Sequence, residues 1–468
     1  MLKSIPLLST SAAVALFGAL TVALALSGPA LPIDKRLPGA DNVGAAASAA
    51  RVDIQGRFTS YSGKPSELTG VWSGFRGAAL DNIVTDPTPL ADQWPVDGPP
   101  VLWTISLGDG HAGAAIRHGR VYILDYNETD RADALRCFSF DTGEDIWRRE
   151  YSVNVKRNHG MSRTVPTVTE QYVVTIGPRC QVMCADALTG EYIWGIDLVA
   201  DYGAAVPLWY TAQCPVIDGD TVVLAPGGNA LLLGVDIRSG DVLWKTPNPK
   251  NWQMSHVSIA PMTLFGKPMY VYSAVGGIVG VSTDGTGSVL LESDVWTYNV
   301  LAPTPVLLPD NRIFVTAGYG VGSAILRADE SGGQITLGID QRLTRSQFAC
   351  EQHTPILYNG ALFTIMPKDS GALRQQVVCI SPDGTLLWSS GKDKRFGLGP
   401  FIIADGKMYI LDDNGELTMI RASTTGYEEL GRVKIVDGRD PWAPLAIADG
   451  RLLLRDDHTM KCLDISAR

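Results

Sequence analysis

No basic run and no excess of positive charge occur in this 468-residue chain: 39 Lys and Arg stand against 49 Asp and Glu, for a formal charge of -10. Dispersed cations on an acidic background leave no electrostatic footprint for a phosphate backbone, which argues against nucleic acid as a partner. Cysteine is sparse and scattered. The seven thiols (137, 180, 184, 214, 350, 379 and 462) form no metal-type cluster and no C-x-x-C-H haem site, and no two are adjacent. Cys137, Cys184, Cys379 and Cys462 occupy apolar positions just before a recurring turn and read as small buried hydrophobes. Cys180 and Cys184 could bridge a short hairpin, but the odd total leaves at least one thiol free. Histidines with H-x-x-x-H spacing are missing, so no metal site is expected. Asp412-Asp413-Asn414-Gly415 and Asp456-Asp457 lack the twelve-residue calcium pattern. Gly-rich 226–229 and 318–322 precede no helix, which makes them hairpin turns and not phosphate cradles.

Long apolar runs are also missing, with one exception at the N-terminus. After Lys3 the stretch from Ser4 to Ile33 carries no charge and has an apolar core from Ala12 to Leu26. Residues 1–33 read as an export signal cleaved after Ala23-Leu24-Ala25, or as a retained membrane anchor, since the run exceeds the roughly 20 residues of a spanning helix. No cysteine there offers a lipid attachment point. Residues 34–65, rich in Gly, Ala and Ser, read as a flexible linker. The remainder, 66–468, is then expected outside the cytoplasm.

That remainder is a repeat. In Asp141-Thr142-Gly143-Glu144-Asp145-Ile146-Trp147 a turn glycine precedes a tryptophan by four residues, and the pattern returns at Gly190/Trp194, Gly240/Trp244 and Gly384/Trp388. Degenerate copies place Leu at the Trp position: Gly287/Leu291, Gly333/Leu337 and Gly426/Leu430. Successive glycines lie 47, 50, 47, 46, 51 and 42 residues apart, the period of a four-stranded propeller blade. Ahead of each signature, two apolar runs are split by a tight turn such as Asp218-Gly219, Asp405-Gly406 or Asp449-Gly450, a strong hairpin signal. Eight such turns occur. The two ends complete the last copy: Val101-Leu102-Trp103 has the Trp strand without its partner, and Lys461-Cys462-Leu463 has the partner without the Trp. The expectation is an all-β, eight-bladed β-propeller of four-stranded antiparallel blades, closed by pairing the N-terminal strand with the C-terminal blade.

The signature, the repeat number and Trp72-Ser73-Gly74-Phe75-Arg76-Gly77 together resemble the pyrroloquinoline-quinone (PQQ) repeat family, the quinoprotein alcohol dehydrogenase-like propellers. The resemblance implies that each Trp packs between blades. It also brings PQQ with calcium into view as a cofactor, because some members are quinone-dependent dehydrogenases while others are cofactor-free assembly factors or binding proteins. The adjacent Cys-Cys pair usual in the dehydrogenases is absent from this sequence, and their calcium ligands and Asp base have no aligned counterpart.

Candidate site residues follow from the propeller geometry. Prolines 166, 215, 261, 305, 355, 400 and 444 suit the first position of innermost strands, so the residues just before them should converge on one channel mouth. They include His159 and Arg163; Trp209, Tyr210 and Gln213; Met254 and His256; Asn299; Glu351, Gln352 and His353; Arg395; and Asp440 and Trp442. Arg163, Gln213, His256, Glu351, His353, Arg395, Asp440 and Trp442 are the candidate ligand-binding set. Arginine suits carboxylate capture, whereas Glu351 and Asp440 could orient the arginines, act as bases or hold a cation. Polar side chains there can equally serve buried backbone groups. The functional expectation is an exported binding or scaffold module for a small anionic ligand or a cell-envelope protein, without quinone chemistry; the alternative is a PQQ-dependent dehydrogenase oxidising an alcohol or sugar.

Overall fold

The computed structural model describes residues 51–155 and 161–467; the expected export segment, most of the expected linker and His159 lie outside the described residues. Among these residues, antiparallel strands gather into four-stranded units that follow one another along the chain: 115–152, 167–197, 216–246, 260–293, 306–343, 356–389 and 401–434, here blades 1 to 7. An eighth unit joins three strands from 446–464 to Val101–Ser106, with Trp103 opposite Cys462. The chain is therefore a β-propeller fastened by strands from its two ends. Blades 4 and 5 share a sheet through a single parallel pairing, Leu291 with Ile335.

Turn chemistry sets the register of the inner hairpins. Asn359-Gly360, Asp405-Gly406 and Asp449-Gly450 all place both residues in the left-handed region, with φ between 48° and 75°, as a two-residue hairpin of matching twist requires. Tryptophan then joins blade to blade. A Cβ on Gly143, Gly190 or Gly240 would come within 2.6–2.8 Å of the ring of Trp103, Trp147 or Trp194, each from the preceding blade. The indole nitrogens of Trp103, Trp194 and Trp388 donate to the next blade's Phe140, Ile237 and Ser423 carbonyls at 3.0, 2.7 and 2.8 Å.

The recurrent cysteines stand opposite these rings. Cys137, Cys184, Cys379 and Cys462 pair with Trp147, Trp194, Trp388 and Trp103. A small residue is needed there; blade 3 uses Gly234, where a Cβ would fall 2.1 Å from the Trp244 indole nitrogen. All seven cysteines are unbridged, so Cys180 and Cys184 form no disulfide.

Three sequence expectations need correction. In blade 5 the outer hairpin, Gly322–Ser331 with Gln334–Leu343, has ten residues per strand, and Gly333 at its tip meets no neighbour. It is Leu343, not Leu337, that packs on Gly384 of the next blade, because the longer hairpin carries the turn past the ring's edge. In blade 7 the residue opposite Met419 is Gly431 and not Leu430, and a Cβ on it would come within 3.1 Å of the ring of Trp94, from the N-terminal segment. Finally, Arg57–Ser60, assigned above to the linker, adds a fifth strand to blade 1, where the Phe58 ring receives the Arg149 guanidinium at 5.2 Å.

The segment 66–92 enters the channel from the face that carries the Asp-Gly turns. Gly70 and Asp86 tie to Asp449. Trp72 pairs with Ile116, the Ser73 carbonyl accepts from Val168 N at 2.8 Å, and Ile83-Val84 runs parallel to Ile403-Ala404. These contacts reach the innermost strands of blades 1, 2 and 7, so the segment plugs that side of the axis. Phe75 and Arg76 sit at its head.

Candidate functional site

Loops leading into the innermost strands meet at the opposite face around a cavity of about 380 Å³. Of the eight candidate residues, Arg163, His256, Glu351, His353 and Trp442 line it, together with Trp209 and Gln352. The other three lie elsewhere. Gln213 is buried in the wall, its amide donating to the Ala225 carbonyl at 3.2 Å and accepting from Ala225 N at 3.0 Å. Arg395 donates to the Arg374 carbonyl outside the cavity. Asp440 has φ 46° and its carbonyl accepts from Trp442 N at 2.6 Å, so it shapes the loop that carries Trp442.

Among the lining residues that sequence reasoning missed, Phe75, His111, Tyr319 and Lys368 carry the rings and the further cation. His111 precedes the first inner strand, where no proline marks the position. Tyr319 and Lys368 come from loops between the second and third strands of blades 5 and 6, a second set of loops facing the same mouth. Phe75 is the floor, supplied by the plug.

Aromatic rings form two walls. Trp209 stacks on Tyr319 with centroids 5.7 Å apart and 19° between planes, and lies 6.0 Å from His256. Across the cavity, His111 and Trp442 are 5.3 Å apart. Trp209 and Tyr210 have φ values of 60° and 69°. Consecutive left-handed aromatic residues are strained by roughly 1–3 kcal/mol each, and such strain clusters at functional sites. Here it turns the Trp209 ring to the cavity while Tyr210 is buried.

Burial governs the charges. It lowers the Arg163 guanidinium to about 10, leaving it a cation at neutral pH. It holds His256 and His353 down at about 4, so both are neutral imidazoles. His256 Nε2 contacts the Leu208 carbonyl, whereas the buried His353 Nε2 has no hydrogen-bond partner. Burial, then Asp369, raises Glu351; burial, then its bonded Glu351, pushes Tyr319 up to about 12. Lys368 adds a cation, 3.6 Å from Asp413. The Cys214 thiol is raised to about 11 by burial and is no nucleophile. A cation, neutral imidazoles and flat rings can grip a small carboxylate or carbonyl compound. No three His, Cys, Asp or Glu side chains converge for a metal among the described residues.

A family model described as outer membrane protein assembly factor BamB matches residues 130–369. BamB from Moraxella catarrhalis superposes with a TM-score of 0.52 and 15% identity, over 78% of this chain and 99% of that one. Quinohemoprotein alcohol dehydrogenases from Comamonas testosteroni and Pseudomonas putida HK5 give 0.57 and 0.55, at 12% and 11% identity, over 85% and 86% of this chain and 81% of each of theirs. At such identities these structures share the fold alone. No curated protein matches the sequence.

Proposed function

Since the chain belongs to the BamB-like family of PQQ-repeat propellers, we propose that it is an exported binding module of the cell envelope whose mouth holds a small anionic, carboxylate- or carbonyl-bearing ligand. One observation carries this reading: Arg163 and the unpartnered His353 Nε2 share a cavity flanked by Trp209 and Trp442. A buried imidazole nitrogen without a partner is costly unless a ligand supplies one. Export is favoured by the N-terminal uncharged run. No helix among the described residues is long and apolar enough to cross a membrane. An envelope protein docking over the mouth is compatible with the same site.

The competing reading, a quinone-dependent dehydrogenase, is favoured by the two similar alcohol dehydrogenase folds. Arg163 would suit a quinone carboxylate. The remaining donors fit a calcium-bound quinone poorly, because calcium takes six to eight oxygen ligands and Glu351 is the one carboxylate among the lining residues. The sequence also has no adjacent cysteines.

Titration of the purified chain with PQQ and calcium, and separately with small dicarboxylates, tests both readings through tryptophan fluorescence and dye-linked alcohol oxidation. Saturable dicarboxylate binding, weakened about tenfold or more in Arg163→Ala and without oxidation, is the expected result. Turnover with PQQ that is lost in Arg163→Ala would establish the dehydrogenase instead.

A further inference from the structure

The plug fills the channel on one side only. Its contacts are with blades 1, 2, 6, 7 and 8, and the space left against the inner strands of blades 3, 4 and 5 is a second cavity of about 300 Å³. Phe75 and Cys214 line both this chamber and the mouth. The aromatic ring thus partitions the axis, and the chamber reaches toward the turn face beside the exposed Ala79.

Two buried polar atoms in its wall, Arg76 Nε and Thr304 Oγ1, lack hydrogen-bond partners. Arg76 is 8% exposed; its Nη2 donates to the Asp81 and Pro355 carbonyls at 3.3 and 3.5 Å, and its Nε has no acceptor. No ion pair among the described residues includes it. Thr304, 4% exposed, has an unpartnered hydroxyl in the same wall. A guanidinium withdrawn from water with no carboxylate in direct contact is unfavourable, and burial lowers Arg76 to about 10 against the opposing pull of the Asp81 charge. The rest of the lining is mainly apolar, including Leu80, Ile259, Met262 and Val306.

We propose that this chamber is a second ligand site, separate from the mouth, for a small aliphatic monocarboxylate whose head group pairs with Arg76 and accepts from Thr304 Oγ1 while its chain lies on the apolar wall. A single charge is specified by Asp81. Asp81 also lines the chamber, its carboxylate accepts from Ile83 N at 2.9 Å, and it already offsets part of the Arg76 charge, so a second negative charge on the ligand would be repelled without a cation to balance it. The site rests on residues that the mouth does not use, Phe75 and Cys214 being shared only as a partition.

Hexanoate, titrated calorimetrically into the full chain, is the probe. Saturable binding is expected, about tenfold weaker in Arg76→Met and also weaker than wild type in the near-isosteric Thr304→Val, with these losses persisting in an Arg163→Gln background that removes the mouth's own carboxylate contact. Hexanol should not bind. If Arg76→Met fails to fold, Thr304→Val and the cavity-filling Met262→Trp carry the test, each expected to weaken binding. No saturable binding to wild type, or binding abolished by Arg163→Gln and indifferent to the chamber substitutions, would overturn the proposal.

Discussion

A single hydrogen bond distinguishes otherwise similar tryptophans. Trp194 Nε1 donates across the blade boundary to the Ile237 carbonyl, whereas Trp147 Nε1 has no acceptor because the Tyr122 hydroxyl occupies the equivalent Ala187 carbonyl at 2.9 Å. Trp194→Phe should therefore cost about 1 kcal/mol more than Trp147→Phe in urea unfolding. Protonation offers a second contrast. Asp133 is fully buried beneath the mouth, accepts from Ser162 Oγ and Tyr151 Oη at 3.0 Å, and is pushed up to about 7 by burial. The folded chain holds this proton from the ordinary carboxylate value up to about 7, while the unfolded chain has released it. The resulting stability is complete below that ordinary value and is lost as pH rises through 7. Asp133→Asn should flatten the decline between about pH 4 and pH 7 in denaturation midpoints. His256 and His353 act oppositely. They stay neutral to about 4, so stability falls as pH drops from 6.5 toward 4.

Elements were legible where chemistry is local and opaque where partners are distant in sequence. Asp-Gly turns and the Gly-to-Trp spacing depend on φ and on one repeated contact, and these placed all eight inner hairpins. Blade 5 misled because its spacing counts residues to a glycine that the lengthened hairpin has carried away from the contact. The plug left almost no local trace: Trp72 and Ile83 each need a strand tens or hundreds of residues away. Likewise the mouth was half readable. Prolines flagged one set of loops, but the loops carrying Tyr319 and Lys368 lack such a mark. Trp72, 4% exposed with its ring against Gly77, anchors the plug. Trp72→Ala should cost about 3–5 kcal/mol and expose 66–92 to limited proteolysis before the blades are cut.

At the scale of the molecule, closure decides whether the axis has walls at all. An open array would leave an exposed strand edge in the last sheet and separate its end blades. Instead Val101–Ser106 pairs along Thr459–Asp464, and the Trp103 ring rests on Gly143 of blade 1. Two cavities on one axis, divided by Phe75, depend on that fastening. The direct test is cross-linking in register: Thr104 lies opposite Lys461. On mild oxidation, the Thr104→Cys/Lys461→Cys chain should form a disulfide between those two positions, seen by peptide mapping, with a raised unfolding midpoint. Failure to cross-link, or linkage only between different molecules, would contradict a ring closed by its own two ends.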